Sequence, residues 1–173
     1  MDTYYTIEEK YLKAVEEMNH GEAPRSLKLL NEILSDEPSY ARAHFQIGKL
    51  YFYDLNDYNA AGYHFKLCVE LEPSFPDVYY DYVSLLVFLN METVANKIAA
   101  KALLVPGVDA TDIYEQIALC YENNRKWNQA IVNYTEALMQ ATDKQQKTAL
   151  EESIERVKFK IDKSKAYIYQ LSE

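Results

Sequence analysis

Between its four Gly and five Pro residues the chain carries apolar residues three and four positions apart rather than in strict alternation, which predicts helices throughout and no sheet. One template recurs. Ala61, Phe65, Cys68 and Pro73 set it, and Ser26, Leu30, Ile33 and Pro38 keep its spacing. Ala95, Ala99 and Ala102 keep it with Pro106 one residue early, and Ala130, Tyr134 and Ala137 repeat it with Thr142 in the proline position. Upstream of three of these sets lies another helical segment, marked by Gln46-Ile47-Gly48 with Tyr51, Tyr82-Val83 with Leu86, and Ile117-Ala118 with Tyr121. The period is about 34 residues, the length of a paired-helix repeat. Gly48, Ala61, Ala95, Ala102, Ala118, Ala130 and Ala137 are small enough to let helix backbones approach closely, with aromatics filling the gaps.

The helix boundaries are punctuated in the expected places. Thr6-x-x-Glu9 is a capping box for a first helix, Thr142-x-x-Gln145 is its counterpart for the last, and Pro24 and Pro76 fall at helix starts. From about 143 to 171 no Gly or Pro interrupts the pattern, so the last helix is about twice the length of the others. Leu150, Ile154, Val157, Ile161, Ile168 and Leu171 make one apolar stripe along it, broken only at Ser164, and Glu152 and Arg156 stand four apart in the favourable order on its flank. Its first half, through about Val157, is expected to cover the exposed side of the preceding helical pair. Ile161, Ile168 and Leu171 then need another surface, for which a second copy of the chain is favoured over a fold-back or a partner.

At the recurring positions the chain resembles the tetratricopeptide repeat family, whose units are helix–turn–helix pairs with small residues where the helices cross. The units read as 7–40, 41–75, 76–108 and 111–144, so that 1–144 forms the repeats and 145–173 a capping and association helix. The second unit has one extra residue near Leu55. The first matches least well, with Lys13 and Glu17 where the family usually places a Leu and a Tyr, as suits a terminal repeat with one wet face. The resemblance implies an all-α fold: a right-handed α-solenoid of about four helical hairpins with a long C-terminal capping helix. It also implies a concave groove lined by the first helix of each hairpin. Carried over residue by residue, the groove positions include Tyr11, Phe45, Lys49, Tyr53, Asp77, Tyr80 and Phe88, joined by Asp81 in the expected binding groove, with Glu115 and Glu122 towards an acidic far end. Phe52 and Val87 occupy groove positions too but are expected to pack between helices. Members of the family that hold an acidic chaperone tail do so with cations; here Asp77 and Asp81 stand in their place, so such a ligand would be repelled and a neutral or basic protein or peptide preferred. What the resemblance implies is a non-catalytic scaffold for protein–protein interaction. A self-associating platform built on the last helix, or a cytoplasmic holding chaperone for one client, are the alternatives.

Composition narrows the field further. A net charge of −9 argues against a nucleic-acid ligand, and no apolar stretch is long enough for membrane insertion. The segment 142–173 is slightly basic, so the acidity lies in the repeats. No secretory leader is recognisable, and Cys68 and Cys120 sit among apolar residues as reduced thiols would, which together point to the cytoplasm. No phosphate-binding loop, zinc motif or nucleophile motif occurs, and neither a cofactor nor a metal is expected. Of the three histidines, His44 reads as core and His20 and His64 as helix-surface residues.

Overall fold

A computed structural model describes the backbone of residues 6–170 and the side chains of 6–165. The described residues form nine α-helices, one π-helical turn and no strand. They fall into two compact units, Met1–Leu85 and Leu86–Glu173, whose boundary lies inside the fifth helix.

The first unit holds α1 (Ile7–Asn19) and α2 (Ala23–Asp36), α3 (Ala41–Lys49) with the π turn Leu50–Asp54, α4 (Tyr58–Leu71), and most of α5 (Asp77–Phe88). Thr6 and Glu9 form the expected capping box at the start of α1, and Pro24 lies in the first turn of α2. Ala14, Leu30, Ile33, Ala43, Ile47 and Leu50 form one core cluster, ringed by Ile7, Tyr11, Leu27 and Tyr51. Leu30, Ile33 and Ile47 are residues picked out by the repeating pattern; Ala14, Ala43 and Leu50 join them. At Gly48 the crossing is tight. A Cβ there would lie 2.6 Å from two ring carbons of Phe65, so only glycine lets α3 and α4 meet at this separation.

The second unit holds the end of α5, then α6 (Glu92–Ala102), α7 (Ala110–Asn123), α8 (Trp127–Gln140) and α9 (Lys144–Gln170). Leu150, Ile154 and Val157 of α9 are buried with Ala118, Ala130, Tyr134 and Ala137, so the first half of α9 covers the α7–α8 hairpin. Lys160 lies 5.6 Å from the ring centre of Trp127, the first residue of α8, and marks where that cover ends. The helix is opened by Asp143, whose carboxylate accepts from the Gln146 N–H at 2.8 Å, and not by Thr142. Asp143 is one residue nearer the helix and offers a charged acceptor to the positive helix end.

The repeat period is visible in the turns and in the contacts. Gly21, Asn56, Asn90 and Arg125 all have positive φ, at intervals of 34–35 residues, and each stands two residues before a second helix of a hairpin. The N–H that follows closes the turn onto a carbonyl five residues back: Glu22 onto Glu17, Met91 onto Leu86, Lys126 onto Tyr121. In the second hairpin Asp57 reaches back six residues, to Tyr51. The sixth residue is the extra one noticed near Leu55, and the helix absorbs it as the π turn. Side chains one period apart also touch: Lys126 with Glu92, Gln146 with Asp112, and Arg156 with Glu122. By the last two contacts α9 stands to α7 as the first helix of a further hairpin would.

His64 is not the surface residue expected. It is half-buried on α4, with its Nδ1 2.9 Å from that of His44 and its ring stacked on Tyr51. The Pro38 carbonyl, 3.0 Å from His44 Nε2, can only accept, so His44 carries its proton on Nε2 and His64 donates from Nδ1. Burial first, then the neighbouring His44, lower the His64 pKa to about 4. The fold therefore holds His64 neutral while the unfolded chain takes up a proton near its ordinary value. The resulting stability is complete above that value and is lost as pH falls towards 4. Between pH 7 and pH 4 the wild type is expected to lose on the order of 2 kcal/mol more unfolding free energy than His64→Gln, measured by urea titration at each pH.

Candidate binding face

Within the first unit three consecutive first helices stand side by side, joined by side-chain hydrogen bonds. On one flank of α3 the Gln46 amide donates to the Tyr11 hydroxyl of α1 at 3.0 Å. On the other, the Tyr53 hydroxyl donates to Asp81 Oδ1 of α5 at 2.5 Å. Lys49, the last residue of α3, lies between Gln46 and Tyr53 along the chain, its ammonium 5.5 Å from the centre of the Phe45 ring. The π turn carries Tyr53; removing its extra residue would rotate Tyr53 by about 100° around the helix axis and take its hydroxyl away from α5.

The face is aromatic and acidic. Tyr53 is 51% exposed and Tyr80 43%, and Asp77 is exposed one turn before Asp81 on α5. Burial, the hydrogen bond to Asp81, and the nearby Asp81 and Tyr80 raise the Tyr53 pKa, so its hydroxyl stays protonated as a donor. Asp81 is only 8% exposed. Burial raises its pKa, Tyr53 and Lys49 pull the other way, and Asp77 adds to the rise. Among the described residues no cation forms an ion pair with Asp81.

Two of the expected groove residues serve the interior instead. Phe45 is 4% exposed and packs between Phe65 and Phe75, with ring centres 6.3 and 5.3 Å away. It misled because the inner face of α3 and the side that meets α4 are neighbouring sectors of one helix, one residue step or about 100° apart, and the cluster of phenylalanines takes Phe45. Asp81, expected as an open acid, is buried behind Tyr53. Of the two further positions expected to pack, Val87 is buried and Phe52 half-buried. Tyr11 is half-buried under its bond to Gln46, a bridging residue that the groove positions do not include. Phe88, exposed at the end of α5, belongs to the second unit.

In the second unit the acidic end is largely spoken for. Glu122, 5% exposed, accepts from Tyr134 at 2.8 Å, Arg156 at 2.9 Å and Lys160 at 2.6 Å. Burial alone would raise its pKa, but these three donors and the Arg156 charge outweigh it and bring it to about 2. Arg156 thus reaches across to α7 rather than to Glu152 on its own helix. Asp112 accepts from Gln146 at 3.3 Å, and burial followed by the neighbouring Asp109 raises its pKa. Of the association residues Ile161 is half-buried; Ile168 and Leu171 lie outside the described side chains. Among the described residues no three His, Cys, Asp or Glu side chains come together to hold a metal, and no helix is long and apolar enough to cross a membrane.

No family model and no curated protein matches the sequence. Solved structures do match in fold. PilW, described as a widely conserved type IV pilus biogenesis factor, is 17% identical, with a TM-score of 0.69 over 79% of this chain and 63% of its own. YrrB, a TPR protein with an unusual peptide-binding site, is 20% identical, with a TM-score of 0.65 over 76% of this chain and 66% of its own. A thermophilic TPR protein of Thermus thermophilus is 17% identical, with a TM-score of 0.67 over 86% of this chain and 81% of its own. The chain thus spans about two thirds of the length of the first two. The fold is that of the tetratricopeptide repeat: all-α, built of helical hairpins.

Proposed function

We propose that this tetratricopeptide-fold chain is a non-catalytic interaction scaffold that binds a segment of another protein along the α1, α3 and α5 face of its first unit. Proteins of this fold support protein–protein interaction in general, and the finer reading rests on the exposed pair Tyr53 and Tyr80. Half-exposed tyrosines held on rigid helices supply contact area and a hydroxyl at little entropic cost, which is what anchors a bound segment. The acids beside them favour a neutral or basic partner. YrrB, with its described peptide-binding site, is a precedent for the class of ligand and not for its identity.

Tyr80→Ala is the direct test, because an exposed side chain can be truncated without opening a cavity. Affinity capture with the tagged chain should lose its specific partner by at least about tenfold, while the melting temperature stays within a few degrees. Undiminished capture by a folded Tyr80→Ala protein would move the binding surface elsewhere.

A further inference from the structure

Among the described residues two carboxylates, Asp81 and Glu122, are buried to nearly the same degree, and they are treated differently. Glu122 receives a tyrosine hydroxyl and two cations. Asp81 receives a tyrosine hydroxyl and, among the described residues, no cation. Lys49 is the cation whose charge it feels, and that ammonium lies over the Phe45 ring instead. A carboxylate taken out of water without a countercharge is costly, and Glu122 shows what completes such a site in this chain. The surroundings of Asp81 are also those of a cation receptor. Tyr53 and Tyr80 offer exposed rings, and Asp77 adds a second carboxylate one helical turn away.

We infer that Asp81 is the receptor for a basic side chain, arginine foremost, carried by the partner segment and received between Tyr53 and Tyr80 with Asp77 at its edge. This rests on the binding-face reading and deepens it. A guanidinium suits the position better than an ammonium, because it can pair with a carboxylate through two N–H groups while its plane lies on an aromatic ring. The net charge of −9 draws basic segments towards the chain over longer range. The Tyr53 hydroxyl already holds Asp81 in place through Oδ1, so the receptor is formed before the ligand arrives.

The test uses a random-peptide display library selected on the immobilised full chain, followed by synthesis of an enriched peptide. The enriched sequences should share an Arg or Lys, and replacing it by citrulline or Ala should weaken binding at least about tenfold. Asp81→Asn should weaken the same peptide by a similar factor while keeping or raising the melting temperature. The amide oxygen still accepts from Tyr53, and the burial of an unpaired charge is relieved. A residue with only a structural role would not combine lost binding with unchanged or higher stability. If the enriched peptides share no basic residue, or bind Asp81→Asn as well as wild type, the receptor assignment is overturned and the binding face stands provided Tyr80→Ala still abolishes binding. If Tyr80→Ala has no effect either, the face itself is wrong. A selection that enriches nothing counts against both.

Discussion

Gly48→Ala should lower the unfolding free energy by about 2 kcal/mol, and Gly48→Val by more, even though both residues are better helix formers or bulkier apolar groups than glycine. The added Cβ would sit 2.6 Å from Cδ1 and Cε1 of Phe65, a ring with no exposed surface and therefore nowhere to go. Relief requires α3 and α4 to separate, which opens the packing of Phe45 and Tyr82 around the same ring. Helix propensity alone would make alanine more favourable by about 1 kcal/mol, so the sign of the change decides between propensity and packing. The check is a urea titration of the single variants and of Gly48→Ala combined with Phe65→Leu. The two changes should be strongly non-additive, the smaller side chain restoring part of what the alanine costs. A stabilised Gly48→Ala would mean that the crossing is looser than described.

The second large effect is on the last helix. Arg156→Ala with Lys160→Ala leaves Glu122 buried with only the Tyr134 hydroxyl, and should cost about 3–5 kcal/mol. Exchange of the backbone amides of α9 with deuterium should rise first, since these two side chains join that helix to α7. The pH dependence follows from the same group. A carboxylate held well below its ordinary pKa stabilises the fold fully above that ordinary value, and the contribution disappears as pH falls towards about 2. Wild type should therefore lose this stability in acid, and the double variant, which lacks it already, should show a shallower slope. Equal slopes would mean that Glu122 does not carry the acid sensitivity.

Much of this could be read along the chain, and what could not has a definite cause. The template of small residues marked the crossings, Gly48 among them, because close approach is a demand on one residue at a time. The extra residue near Leu55 was visible as a break in the period, and its consequence, a π turn that presents Tyr53 to Asp81, follows from where the break falls. Phe45 was misplaced because a list of facing positions cannot tell the inner side of a helix from the side one step round it. Neighbouring phenylalanines, close in space and distant in sequence, decide that. His64 was misjudged for a similar reason: its partner His44 lies on another helix. The pairing of Arg156 with Glu122 had a signal that helical spacing alone does not use. The two residues are one repeat period apart, as are Lys126 and Glu92, and Gln146 and Asp112. Adding the period to each acidic residue of a helix would have proposed all three pairs, from Glu92 on α6 and from Asp112 and Glu122 on α7.

Binding of a partner segment along the α1, α3 and α5 face is tested most directly by site-specific photocrosslinking. A photoreactive phenylalanine analogue is placed at Tyr53 or Tyr80, and for comparison at Val132 or Met139, which are exposed on α8. With the captured partner present, crosslinks should form from positions 53 and 80 and be absent from 132 and 139. Crosslinks from 132 or 139, with none from 53 and 80, would contradict the assignment.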